Sequence, residues 1–195
     1  AGKMKGDGLT PTIVEDKIVV GDTTLEIIPH KTGSASDIDS AIIIRYKLGN
    51  SREHCVVNAN DIIFDATMRN RLKEVAGEVD ILLCGYTGAG PYPQTYYDPN
   101  DPDIVIEASN IKSSFFSRYN LLVDTIDAKV NIPFAGKYLL GGNLSNLNEY
   151  RGVADPVEIL GIDQKAVVLS DNGGEINTND LVANGCRLKK YNDND

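Results

Sequence analysis

Hydrophobic and polar positions along the chain first read as short strands. Thr12–Val14, Lys17–Val20 and Thr24–Ile28 are rich in β-branched residues and are separated by Glu15-Asp16 and Gly21-Asp22, two turn-forming pairs. Ala41–Tyr46 and Cys55–Val57 are unbroken apolar runs, the pattern of strands buried on both faces. Residues 47–54 supply the hairpin between them.

Helix and strand then alternate. Asp65 is placed to cap a helix over 66–76 that Gly77 ends, and Val79–Cys84 is again a buried strand. A Gly-, Pro-, Tyr- and Asp-rich loop follows, of a length that compact domains reserve for function or motion. Ala108, Ile111, Phe115, Tyr119, Leu122 and Ile126 step by three or four residues, the apolar stripe of one helix. Val130–Phe134 reads as a strand, Leu144–Tyr150 as a short helix ended by Gly152, and Lys165–Leu169 as a last strand. Strands followed by β-α-β-α-β predict a layered α/β fold. The expected organisation is a flexible lead-in at 1–10, one α/β domain over 11–190 and a tail at 191–195.

Composition narrows the function. The chain has 195 residues, 42% hydrophobic and 24% charged, the ordinary globular range. Its formal charge of −9 repels a phosphate backbone, so no nucleic-acid partner is expected. Apolar runs of four or five residues fall far short of the ~20 a membrane span needs. Cys55, Cys84 and Cys186 form no CxxC pair; the first two read as buried small hydrophobes, and a reducing, cytoplasmic setting is the expectation.

Only two histidines are present. His54, beside Arg52 and Glu53 at a strand start, is expected to be exposed; it pairs with no nucleophile, because Cys55 faces the other way along the strand. His30 follows a strand in a polar Gly/Ser-rich turn and reads either as a turn histidine or as a metal donor. Asn58-Ala59-Asn60-Asp61 ends a buried strand, where α/β folds place their sites. Asp61 could ligate metal or act as a base with Asn58 and Asn60 orienting it; equally, the cluster makes an Asx turn. Gly85–Gly90 also ends a buried strand, and its glycines would let backbone N–H groups approach an anion, or simply turn the chain. Tyr92, Tyr96 and Tyr97 either line a pocket or pack this loop down.

In order, these segments resemble the C-terminal half of the metallo-β-lactamase fold over about residues 15–160, closest to the branch of ascorbate-phosphate lactonases and the hydrolase-like domain of CMP-N-acetylneuraminate hydroxylase. His30-Lys31-Thr32-Gly33-Ser34 resembles the family's His-x-x-Gly-Ser turn, Asn60-Asp61 its Gly-Asp strand end, and Ile132-Pro133-Phe134-Ala135-Gly136 its late strand ending Pro-x-His. The resemblance implies half of an αββα sandwich and a metal-dependent hydrolase of an ester, lactone or phosphoester. In that reading His30 and Asp61 hold Zn, Fe or Mn, and Asp61 is also catalytic. The ligand set is incomplete here: no His-x-His-x-Asp-His occurs, and Ala135 stands where the last histidine would be. The missing ligands would come from an N-terminal half or another chain, and association with that half or with itself is expected. The alternative is a non-catalytic binding or assembly domain, with Asn58, Asn60, Tyr86 and Tyr92 around a small sugar-like ligand.

Overall fold

The computed structural model describes residues 6–10, 14, 16–30, 39–49, 51–60, 62, 64–134, 136–170 and 173–190. Six strands form one sheet in chain order: β1 (Lys17–Val20), β2 (Thr23–Pro29), β3 (Ser40–Lys47), β4 (Glu53–Asn58), β5 (Ile81–Gly85) and β6 (Val130–Phe134). The first four strands pair antiparallel. Two-residue Gly21-Asp22 joins β1 to β2, with Gly21 at φ 58, a conformation glycine adopts without a Cβ clash. The β4–β5 and β5–β6 pairs are parallel, which requires crossovers. Helices α1 (Ala66–Ala76) and α2 (Asp103–Ile126) supply them. The α/β class and the β-α-β-α-β order expected from the sequence are both present.

Local chemistry sets the helix ends. The Asp65 carboxylate accepts from the Met68 N–H at 2.8 Å, and Gly77 at φ 67 donates its N–H to Lys73 O, ending α1 where the sequence predicts. Helix α2 begins at Asp103, earlier than the stripe suggests, and ends in left-handed Asp127.

Two further expectations are corrected and one is refined. Lys165–Leu169 is not a strand: it makes single bridges, Ala166 to Asn131 and Leu169 to Cys186. The short helix expected at Leu144–Tyr150 is present as a 3₁₀ segment that begins two residues earlier, at Gly142. His54 is buried, 1% exposed, because its cross-strand partner Tyr46 stacks on its ring at 5.3 Å. The expected strand Thr12–Val14 falls mostly outside the described residues, as does the tail at 191–195. No helix among the described residues is long and apolar enough to cross a membrane.

The sheet separates two cores. On one face Ala41, Ile43, Cys55, Val57 and Leu82 pack against Met68, Leu72 and Ala76 of α1 and Leu122, Val123 and Ile126 of α2. On the other, Ile81, Val130 and Ile132 are covered by Val167, Leu169, Ile176 and Leu181 of the C-terminal segment. Register continues this second face as an apolar row, Leu25–Ile44–Val56–Ile81–Val130, across five strands. On β2 and β3 its residues Leu25, Ile27, Ile42 and Ile44 are only partly buried.

Asp80 ties the amino ends of the central strands together. Its buried carboxylate accepts two hydrogen bonds from Arg52, at 2.8 Å each, one from Lys129 Nζ at 2.7 Å and one from the Cys55 N–H at 3.0 Å. Burial alone would raise its pKa, but the bonds from Arg52, Lys129 and Cys55 outweigh it and hold the group well below the usual carboxylate range. Arg52 and Lys129 are about half exposed, so deleting either costs little, whereas neutralising the shared acceptor weakens all of its bonds at once and leaves an N–H donor facing the cations. Asp80→Asn is therefore expected to destabilise the fold by about 3 kcal/mol in denaturant unfolding. Because the folded-state pKa is lowered, this stabilisation is complete above about pH 4 and is lost as pH falls toward the folded value. Wild-type stability should decline in that acid window, and the Asp80→Asn variant should lack that part of the decline.

Candidate functional site

Strand direction decides which ends meet. Since β2 and β4 both run antiparallel to β3, they are parallel to each other and to β5 and β6. The turns singled out in the sequence, His30 after β2, Asn58–Asn60 after β4 and Gly85–Thr87 after β5, therefore lie on one edge of the sheet. Two strand spacings separate the ends of β2 and β4, about 10 Å, within reach of two side chains converging over the start of β3.

His30 is partly buried. Its backbone N–H donates to Asp39 O at 3.0 Å, and its ring meets Phe64 edge-on, centroids 6.5 Å apart. Asn58 Oδ1 accepts from the Asn60 N–H at 2.9 Å, with Asn60 left-handed at φ 54: an Asx turn. The Ala59 N–H donates to Leu83 O and the Gly85 N–H to Asn60 O, which splice this turn to β5. Asp61, residues 31–38 of the His-x-x-Gly-Ser turn, and Ala135 lie outside the described residues.

Tyr86 is 3% exposed and belongs to the helix-side core. Burial pushes its hydroxyl pKa up, only partly offset by a hydrogen bond with the Lys137 backbone. Tyr92 donates to Glu107 Oε1 of α2 at 3.0 Å and meets Tyr96 and Tyr97 edge-to-face. Its pKa is raised by the Tyr97 hydroxyl, burial and the Glu107 carboxylate. The tyrosines thus pin the 86–102 loop onto α2, and Tyr92 also forms part of a groove.

That groove, about 170 Å³, runs between the loop, α2 and the chain at Gly152, with Tyr92, Ile111, Phe115 and Gly152 among its walls. Two glycines permit it. A Cβ on Gly88 would lie 2.4 Å from the Phe115 ring, and one on Gly152 would lie 2.8 Å from Ile111. Ile111 and Phe115 belong to the apolar helical stripe read from sequence; here they are partly buried and wall a groove. The paired glycines were the available signal, but only tertiary contact shows which ring they accommodate.

A catalytic zinc needs three protein ligands and an open position. Among the described residues no group of three or more His, Cys, Asp or Glu is placed to hold a metal ion. His30, the histidine at this edge, and Asp61 supply two donors at most. These residues do not by themselves fit a catalytic metal.

No protein-family model matches the sequence, and no curated protein sequence is significantly similar to it. Solved structures that match part of the chain include a metallo-β-lactamase-superfamily protein from Thermotoga maritima, named for an inferred Zn-dependent hydrolase activity. It is 15% identical with a TM-score of 0.40, over 68% of this chain and 53% of that one. Another is CmlA, a diiron β-hydroxylase from Streptomyces venezuelae, 16% identical with a TM-score of 0.38, over 62% of this chain and 24% of that one. The chain thus spans about half the length of the first structure and a quarter of the second.

Proposed function

We propose that this chain is one portion of a metallo-β-lactamase-fold, metal-dependent hydrolase acting on an ester, lactone or phosphoester, completed by ligands from another segment or chain. The observation that carries this reading is the placement of His30 and Asn58–Asn60, two of the turns on which the sequence resemblance rests, at one edge of the sheet, with Gly85–Thr87 beside them. A metal bound there would activate water for the hydrolysis. His30 and Asp61 would be this chain's donors, and the Asx turn of Asn58 and Asn60 would fix the approach of Asp61. The groove beside Tyr92 would take the organic body of the substrate.

A second reading, a small-ligand binding domain without metal, is favoured by the groove itself, whose walls combine apolar Ile111, Phe115 and Val153 with the donors Tyr92, Ser114 and Arg118 and include no carboxylate, histidine or cysteine. Metal content separates the two. Elemental analysis of the isolated chain is expected to find zinc, iron and manganese far below stoichiometric. The full-length protein should bind metal stoichiometrically, and His30→Ala should lower that occupancy. Tight stoichiometric metal on the isolated chain would sink the portion reading; a metal-free full-length protein would favour the binding domain.

The same reading supplies an occupant for the partly covered face. Helices take one side of the sheet, and a second β-layer would take the row Leu25–Ile44–Val56 on the other. Light scattering of the isolated chain is expected to show association, and Ile44→Lys should reduce it. A monodisperse monomer would argue against a missing layer.

A further inference from the structure

We propose an oxyanion-binding cavity beside the carboxyl ends of β4 and β5, built by Arg69, Thr87 and Arg118, that holds the carboxylate or phosphate group of a small molecule without a metal. It stands independently of the metal-hydrolase reading.

The cavity, about 40 Å³, is the size for the head of one small anion or a water. Arg69, on α1, donates from Nη1 to Phe64 O at 2.7 Å; this fixes the guanidinium, and its Nε is buried with no partner among the described residues. Thr87, in the turn after β5, is 5% exposed, and its Oγ1 is likewise buried and unpartnered. Its methyl is held in place: a Cβ on Gly136 would lie 2.3 Å from Thr87 Cγ2. Arg118, on α2, lies over the Phe115 ring, 5.1 Å from guanidinium carbon to ring centroid, and lines the cavity from an exposed position.

What converges is one-sided. Guanidinium groups only donate, and the Thr87 hydroxyl can turn its proton inward. Neither arginine has a carboxylate partner among the described residues, although the chain carries 28 Asp plus Glu against 19 Lys plus Arg. Arg45 and Arg52, by contrast, are paired with Glu26 and Asp80. Two cations without a carboxylate partner among the described residues, beside an unpartnered hydroxyl, suit an acceptor-only ligand; a water would satisfy the donors but leave the charge. Arginine matches carboxylate and phosphate equally well in geometry.

The cavity shares Phe115 and Arg118 with the 170 Å³ groove, so an anion seated at Thr87 can carry an organic body lying along Tyr92 and Gly152. Phe64 lines the cavity and meets the His30 ring edge-on, which places it between this site and that histidine.

The test is titration of the chain in EDTA with inorganic phosphate, phenyl phosphate and benzoate, against chloride at matched ionic strength, followed by calorimetry and amide shifts. Saturable binding of a phosphate probe, of benzoate, or of both is expected, and the pattern names the ligand class. Thr87→Val removes an unpartnered hydroxyl, so it should leave the unfolding midpoint unchanged while weakening binding about tenfold. Arg118→Gln, at an exposed position, should weaken it similarly, and His30→Ala should not change it. The proposal is overturned if no probe binds beyond the chloride reference or if either Thr87→Val or Arg118→Gln binds as tightly as wild type. Loss of binding in His30→Ala to the same degree would place the anion at the other turn and overturn it as well.

Discussion

A single buried carboxylate organises the sheet. Asp80 gathers four hydrogen bonds from three pieces of chain: the β3–β4 hairpin through Arg52, strand β4 through Cys55, and the approach to β6 through Lys129. Its own backbone does the same, donating to Cys55 O and accepting from the Val130 N–H. Placing a lone carboxylate in the interior costs several kcal/mol, and this position is tolerable because several donors share it. That requirement sets the register of the three parallel strands at their amino ends.

Fixing the amino ends leaves the carboxyl ends open to polar turns of varied chemistry. Backbone bonds splice the Asn58–Asn60 turn to β5, so its geometry follows from the sheet rather than from the identity of the next residue. Helix α2 shows the same division along its length. Its final turns, from Tyr119 to Ile126, are buried against the sheet, while Ile111 and Phe115 face the groove. Tyr119 is held by donation to Asp163 Oδ2 at 2.7 Å, and the same oxygen takes Asn131 Nδ2 at 2.8 Å, which anchors α2 to β6 at the end away from the turns.

Much of this was legible in sequence wherever the determinant is local. The α1 limits follow from Asp65 and Gly77, and β6 from an apolar run between Lys129 and Ala135. Errors arose where a partner distant in sequence decides. His54 reads as exposed from its charged neighbours, yet pairing opposite Tyr46 covers it. Lys165–Leu169 has strand composition, but its pairing with β6 ends at Asn131: the Asn131 N–H donates to Lys165 O and the Val167 N–H to Asn131 O, and the ladder goes no further. In the candidate site, the turns were visible because Gly, Asn, Asp and His are distinctive. Arg69, Thr87 and Arg118 were not, because they come from two helices and a loop, and nothing in spacing announces that they share a cavity.

The two faces of the sheet also differ in how far their burial is realised. On the helix side Ile43, Val57 and Leu82 are fully buried. Across the sheet, the C-terminal segment covers β5 and β6, while Leu25, Ile27, Ile42 and Ile44 remain partly exposed in rows continuous with the covered ones. A fully buried aliphatic side chain contributes about 1.5–3 kcal/mol, so four partly covered ones forgo on the order of 3 kcal/mol. A domain of this size has a net stability of only about 5–15 kcal/mol. Covering those rows would therefore be a substantial fraction of the total. The same cross-strand alignment that carries Leu25 through Ile44 and Val56 to Ile81 means a layer seated on β2 and β3 would meet the segment already seated on β5 and β6. Such a layer would extend an existing core rather than begin a new one.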